Sequence, residues 1–482
     1  MITARQQPRP VVVLDIVGLT PRQLSHMPRL AAYADACATA RLDPVFPAVT
    51  CSVQSSMLTG LPPREHGVVG NGWYFRDLGE VLFWRQHNGL VAGDKVWDIA
   101  RRARPSFRTA NLCWWYAMGA ASDVVVTPRP VYHADGRKSP DCYTVPGSLR
   151  GELTAQLGRF PLFSYWGPGA GIKSSAWIAA AAGRVLSRYR PDLTLVYLPH
   201  LDYDLQRFGP SGPQAARAAC EIDEVAGRLL DTCRRADATV VVVSEYGITP
   251  VSRPVHLNRI LRRDGLLRVY EQAGMEYLDP VTSRAFAVAD HQAAHVYVAD
   301  PSDVPGVAAT LADVPGVAEV LDGPGKAAHQ VDHERSGELV CVAEPDAWFT
   351  HYYWLDDRQA PDFARTVEIH RKPGYDPAEL FMDPGDPLVR FRAAAALARK
   401  ALGLRYTLNV VPLDASCVQG SHGRLPDSGD QADAPLLLCP VPGALPSERI
   451  AATAVKDVLL ALAEVTPPAP RPSSPDAREA TY

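Results

Sequence analysis

The sequence has no surplus of positive charge: 49 Lys and Arg stand against 53 Asp and Glu in 482 residues, a formal net charge of −4 at pH 7. Without a cationic excess there is little to neutralise a nucleic-acid backbone or an anionic membrane, so polymer or membrane binding is excluded as the main role. Uninterrupted apolar runs of about 18 residues, the length a spanning helix requires, are also missing. Met1 to Pro10 carries no basic-then-apolar leader pattern, and together these features lead to the expectation of a cytoplasmic protein. The nine cysteines (Cys37, Cys51, Cys113, Cys142, Cys220, Cys233, Cys341, Cys417, Cys439) are scattered singly with no CxxC pair. That pattern suits reduced, buried thiols better than a disulfide framework or a zinc knuckle. There is no repeat of about 20–50 residues and no GxxxxGK[ST] phosphate loop.

What remains is an ordinary globular composition, 47% apolar and 21% charged, long enough for several lobes or for one large α/β domain with an inserted cap. The chain opens as a βαβ unit. A strand over Val11 to Asp15 is followed by Thr20-Pro21 as cap and first helical position, then by apolar residues at helical spacing from Arg22 to about Ala40. Asp15 thus falls at the carboxyl end of a strand, where open α/β sheets bind ligands. After Phe46-Pro47-Ala48-Val49, the stretch Cys51 to Thr59 reads as a short helix capped by Thr50 and closed by Gly60. A hydroxyl at a helix N-terminus faces free backbone N–H groups and the positive dipole end, which suits a phosphoryl-accepting nucleophile as well as a simple cap.

Two further strands, Leu193 to Leu198 and Thr239 to Val243, end in Pro199-His200-Leu201-Asp202 and Ser244-Glu245-Tyr246, with a helix from Pro213 to Arg235 between them. Strand, helix and strand, with acidic residues at each strand's end, describe a parallel sheet that delivers carboxylates to one edge. The expected fold is α/β, a mostly parallel central sheet flanked by helices with an inserted cap or small subdomain. The expected organisation is a core over 8–280 with a cap-like, aromatic-, Gly- and Pro-rich insertion at about 75–175, a smaller α/β unit over 281–366, a return to the core over 367–466, and a disordered Pro-rich tail over 467–482.

Four blocks carry a resemblance: Val13-Leu14-Asp15-Ile16-Val17-Gly18-Leu19; Phe46-Pro47-Ala48-Val49-Thr50 with Met57-Leu58-Thr59-Gly60; Pro62-Pro63-Arg64-Glu65-His66-Gly67-Val68-Val69-Gly70-Asn71; and Ser421-His422-Gly423. In that order they resemble the alkaline phosphatase superfamily, in its nucleotide pyrophosphatase/phosphodiesterase and phosphonoacetate hydrolase branch. The resemblance implies two metal ions, usually zinc, at the carboxyl edge of the sheet and a Thr or Ser that forms a covalent phospho-enzyme. It implies Asp15 as a ligand, Thr50 as nucleophile and ligand, Asn71 as the partner of a phosphoryl oxygen, Asp202 as a ligand and His422 as the last histidine ligand. Paired cations would lower the hydroxyl's pKa and stabilise the entering and leaving oxygens of an in-line displacement.

Three ligand positions depart from that pattern. Gln206 stands where the family has His, and Glu245-Tyr246-Gly247 stands where it has Asp-His-Gly. Glu keeps a hard carboxylate, Gln offers a weak neutral oxygen, and Tyr binds strongly only as phenolate, which favours a hard ion such as Fe³⁺ over Zn²⁺, with Mn also compatible. Three arrangements follow: a bimetallic site with histidines recruited from elsewhere, a site with one or a different metal, or a pocket that binds without turnover. His291 and His200 are the candidate recruits, and His370 with Arg371 and Lys372 could aim charge at an anion. Trp73 and Tyr74, with Phe75 and Trp84, could form a slot that stacks a planar group. The expectation is a metal-dependent phosphoric ester hydrolase acting on a small phosphate-containing substrate, with room for homo-oligomerisation. A group transferase and a non-catalytic binding protein on the same fold are the alternatives.

Overall fold

The computed structural model describes residues 8–134, 138–404, 406–426 and 432–466. Nine strands form the central sheet: β1 (Val11–Ile16), β2 (Ala38–Asp43), β3 (Thr109–Leu112), β4 (Val124–Pro128), β5 (Cys142–Val145), β6 (Leu193–Leu198), β7 (Thr239–Val243), β8 (Leu436–Cys439) and β9 (Arg449–Ala451). Their spatial order is β9-β2-β8-β7-β1-β6-β3-β4-β5. The central run from β7 to β4 is parallel throughout. β1 and β6 are buried at every residue, as Val/Leu-rich parallel strands covered on both faces are. The mostly parallel α/β architecture expected from the sequence is therefore the one observed.

The helices that matter for the site are α1 (Thr50–Thr59), α2 (Ile172–Tyr189), α3 (His200–Phe208) and α4 (Pro213–Arg235). α1 is buried along its whole length, so its polar side chains point at protein rather than water. A second, four-stranded antiparallel sheet is built from Ala285–Asp290, Ala293–Val298, Leu339–Ala343 and Val317–Leu321, in that spatial order. It packs around its own apolar core and is tied to the segments at the edge of the first through Asp290, which accepts from Asn71, and Gln292, whose N–H donates to the His422 carbonyl.

Three sequence expectations change. The helix expected over Arg22 to Ala40 is two short helices, Pro21–Leu24 and Pro28–Ala34, followed by β2; Pro28 removes a backbone donor and restarts the helix. The stretch read as cap elements over 75–175 instead supplies β3, β4 and β5 to the central sheet. Strands this short, set among Trp, Gly and Pro, show too few repeats of their alternation to register as strands. Finally, α1 starts at Thr50 and its cap is Val49, so Thr50 is the first helical residue and not the cap. The tail expected over 467–482 lies outside the described residues.

Candidate active site

β1 and β7 are parallel neighbours with Asp15 opposite Val243. Asp15 and Glu245, the second residue beyond β7, therefore leave the same edge of the sheet side by side. α1 runs across that edge and presents two side chains one turn apart, Thr50 and Gln54. The Gln54 amide nitrogen donates to Asp15 Oδ2 at 3.1 Å and to Glu245 Oε1 at 2.6 Å, while its oxygen accepts from the Trp115 backbone N–H at 2.8 Å. The other oxygen of each carboxylate, Asp15 Oδ1 and Glu245 Oε2, is buried and has no hydrogen-bond partner.

Thr50 Oγ1 lies 3.1 Å from the phenol oxygen of Tyr246. That phenol donates to Asp202 Oδ1 at 3.4 Å, and Asp202 Oδ2 accepts from the Gln206 amide at 2.6 Å. Asp202 and Gln206 sit one turn apart on α3, which is why both reach the same point. The Gln206 oxygen accepts in turn from the hydroxyl of Tyr375 at 3.0 Å. Asn71 bridges helix and second sheet: its oxygen accepts from the Cys51 N–H at 3.0 Å, and its amide and backbone nitrogens donate to Asp290 at 3.0 and 2.7 Å.

A column of four stacked rings flanks these groups. Tyr246 lies on His422 with centroids 3.5 Å apart and planes at 7°, His422 on His291 at 3.7 Å, and His291 on Tyr375 at 3.8 Å. His422 donates its Nδ1–H to the Ala48 carbonyl at 2.8 Å, which leaves Nε2 unprotonated, buried and without a partner. His291 occupies the turn between Ala285–Asp290 and Ala293–Val298 with φ of 60°. A bulky residue held in the left-handed region marks a position the surroundings over-determine. Here the result is an imidazole aimed into the column.

Burial governs the electrostatics. It pushes Asp15 and Asp202 each up to about 7, and Glu245 well above the carboxylate range, with the charge of Asp15 adding to the rise. Burial drives His422 down to about 3 and His291 well below the usual imidazole range. It raises Tyr246 well above an ordinary phenol, assisted by the charges of Asp202 and Glu245. Among the described residues, no Lys or Arg side chain hydrogen-bonds or ion-pairs with Asp15, Asp202 or Glu245. The cluster is closed from above by Tyr375, and Thr50 is 3% exposed.

Asp15, Thr50, Asp202, Gln206, Glu245, Tyr246, His422 and His291 are thus brought into one hydrogen-bonded and stacked cluster, with Asn71 beside it. Trp73 and Tyr74 are placed otherwise. Trp73 stacks on Phe75 beneath Arg335, and Tyr74 packs edge-on against Phe286 and Tyr297. The rings over the cluster are Trp84, which contacts Trp115 and Tyr375, and Trp166, which contacts Tyr375. His200 turns Nε2 toward Glu221 on α4 at 3.0 Å, and His370 turns toward the Phe83 carbonyl. Lys372 is committed to Asp376 and Glu379, at 2.6 and 2.9 Å. Sequence reasoning missed Gln54, Tyr375 and Asp290. Gln54 had a signal, since it stands one turn after Thr50 on the same helix face.

The donor set fits a hard cation in one half of the cluster. Asp15 and Glu245 face one another in a dry site, where two carboxylates cannot both remain ionised without a proton or cation between them. Their orphaned oxygens and the Thr50 hydroxyl are oxygen donors suited to a hard divalent ion. Among the described residues no three His, Cys, Asp or Glu converge as a complete metal-holding group, so Thr50 and solvent would have to complete the coordination.

The sequence matches the family of type I phosphodiesterases and nucleotide pyrophosphatases over residues 11–376. A pyrophosphatase/phosphodiesterase of Schizosaccharomyces pombe, itself uncharacterised, is 23% identical over 239 residues, 47% of this chain; the match spans 41% of that relative's length. Among solved structures, phosphonoacetate hydrolase from Sinorhizobium meliloti 1021 in complex with phosphonoformate superimposes with a TM-score of 0.59 at 17% identity, covering 96% of this chain and 98% of that one. Murine ectonucleotide pyrophosphatase/phosphodiesterase 5 gives 0.58 at 14%, covering 97% and 98%. At such identities these two share the fold. The family match extends from β1 through Tyr375, across the strands and turns that carry all of the cluster but His422, and the chain belongs to the type I phosphodiesterase/nucleotide pyrophosphatase family.

Proposed function

We propose that this chain is a phosphoric ester hydrolase in which Thr50 attacks phosphorus, assisted by a divalent cation held by Asp15, Glu245 and Thr50 itself. The observation that carries the reading is the convergence of Asp15 Oδ1 and Glu245 Oε2, both buried and unpartnered, on the helix turn that begins with Thr50. A cation held there would lower the pKa of the hydroxyl and offset the charge of the phosphoryl group.

The chain's own groups supply the rest. Tyr246 hydrogen-bonds the attacking oxygen and fixes its rotamer. Asn71, tied to Cys51 and Asp290, keeps a side-chain amide beside the attack point, where it can donate to a phosphoryl oxygen. Attack forms the bond between Thr50 Oγ1 and phosphorus as the bond from phosphorus to the leaving oxygen breaks. Water then cleaves the phospho-Thr bond, returning the hydroxyl and releasing the phosphorylated product. The closed, aromatic-roofed cluster favours a small substrate over a polymer. We infer a reducing, cytoplasmic setting, supported by nine cysteines that are all free thiols and by the absence, among the described residues, of a helix long and apolar enough to cross a membrane.

The test is hydrolysis of bis-p-nitrophenyl phosphate and p-nitrophenyl phosphate by the wild type and Thr50→Ala, with acid quenching and mass spectrometry for a phosphate adduct on Thr50. Turnover lost in Thr50→Ala and an adduct on the wild type are expected. Turnover undiminished by Thr50→Ala would overturn the mechanism.

A further inference from the structure

We infer that this site takes one cation, in the Asp15–Glu245 half, and that the Asp202 half is completed by hydrogen bonds instead of a second ion. The inference rests on the cation-assisted reading above and divides the cluster by what each carboxylate has left to offer.

In the first half, each carboxylate keeps one buried oxygen without a partner. In the second, both oxygens of Asp202 are engaged, Oδ1 by the Tyr246 phenol and Oδ2 by the Gln206 amide. Gln206 is itself used at both ends, since its oxygen accepts from Tyr375. A cation against Asp202 would meet the N–H face of an amide and the hydrogen of a phenol, both of which repel it.

Charge points the same way. The first half offers two carboxylates to a divalent ion; the second offers one carboxylate whose oxygens are both engaged, a neutral amide, and the neutral imidazoles of His422 and His291, each with one buried nitrogen unpartnered. A second dication there would be less fully neutralised than one between the two carboxylates, so the first half is the stronger site. The ring column supplies the remaining constraint. Tyr246 is held at its face by His422 and at its hydroxyl by Asp202, so it cannot swing aside to clear a coordination position without unstacking Tyr246, His422, His291 and Tyr375 together. The Asp202–Gln206–Tyr375 branch then serves to hold the Tyr246 hydroxyl against Thr50, where a second cation would otherwise have fixed the nucleophile.

Equilibrium dialysis of the full chain against Zn²⁺ and, separately, Mn²⁺, followed by elemental analysis, reads the stoichiometry directly, with circular dichroism to verify that each variant is folded. One ion per chain is expected in the wild type, one in Asp202→Asn, and none in the Asp15→Asn/Glu245→Gln double variant. If that double variant fails to fold, competition of Zn²⁺ with Gln206→His/Tyr246→His supplies the same distinction, because restoring imidazoles at both positions should raise the count from one to two. Two ions in the wild type falling to one in Asp202→Asn would overturn this inference and leave the Thr50 reading standing. A single ion lost in Asp202→Asn but kept in the double variant would also overturn it. No bound ion in the wild type at saturating metal would overturn the cation-assisted reading and this inference with it.

Discussion

The phenol of Tyr246 hydrogen-bonds the hydroxyl of Thr50 across 3.1 Å, joining the turn after β7 to the first residue of α1. Removing the phenol oxygen frees the Thr50 rotamer and leaves Asp202 with one buried oxygen uncovered. Tyr246→Phe should lower kcat by about tenfold, the scale of one hydrogen bond at the reacting atom, with KM changing less. Steady-state kinetics on a p-nitrophenyl ester that the wild type turns over would show the split; equal kcat in the two proteins would remove Tyr246 from the nucleophile's environment.

Gln54 clamps the inner oxygens of Asp15 and Glu245. Replacing it by Leu deletes both hydrogen bonds to buried carboxyl groups, a loss of about 1–3 kcal/mol for each buried acceptor left without its donor. Because a cation between the same carboxylates offsets their repulsion, the destabilisation should be large in chelator and smaller in saturating Zn²⁺. Thermal unfolding of Gln54→Leu and wild type, each with EDTA and with Zn²⁺, tests this; a metal-independent difference would argue against a shared cation.

Lys372 is 1% exposed and ion-paired to Asp376 and Glu379, and Tyr375 lies between Lys372 and Asp376 in the chain. Lys372→Met leaves two buried carboxylates unpaired and should destabilise by about 3–5 kcal/mol, read as a lowered urea midpoint. Since the same segment carries the Tyr375 hydroxyl to Gln206, increased proteolysis between residues 366 and 381 should accompany it.

His66 is buried, accepts from the Val68 N–H at its Nδ1 (3.0 Å) and faces Ser56 Oγ with Nε2 (2.9 Å). Burial lowers its pKa from 6.5 to about 3, so below pH 6.5 the unfolded chain binds a proton that the folded chain refuses. This group's stabilising effect is complete above pH 6.5 and is lost progressively as pH falls toward 3. At pH 5.5 the loss is about 1.4 kcal/mol relative to neutral pH. Asp290, raised to about 7, titrates with the opposite sign, so the informative quantity is the difference between wild type and His66→Asn. Urea midpoints at pH 7.5 and 5.5 should show the wild type losing more stability than the variant on acidification.

The sequence makes the sheet's central strands and their acidic ends legible, because Val11–Ile16, Leu193–Leu198 and Thr239–Val243 are predominantly apolar runs and Asp15, Asp202 and Glu245 lie at or just beyond their carboxyl ends. The outer strands are not legible. Thr109–Leu112 has four residues, one of them the buried Asn111, and its identity as a strand comes from its neighbours in the sheet. Thr50 is legible at the start of α1, but its role there depends on a partner from residue 246, which no local pattern reveals. Gln54 reads as an ordinary helix former; only the meeting of two strand ends beneath it gives its amide a task. Tyr375 and His291 join the cluster through turns whose conformation, including the positive φ at His291, is decided by the packing of the second sheet.

The ring column draws on residues 246, 422, 291 and 375, and β8, at 436–439, slots between β2 and β7, with its hydrogen bonds to both. The cluster is accordingly incomplete until residue 422 has joined residues 15, 50, 202 and 246. A nascent chain that has released β1, α1 and β7 carries Thr50, the proposed nucleophile, and two acids but no imidazole at 422 to stack on Tyr246, and an open gap in the sheet beside β7. A fragment ending before Ser421 would therefore carry the strand-end acids without the ring column that holds Tyr246.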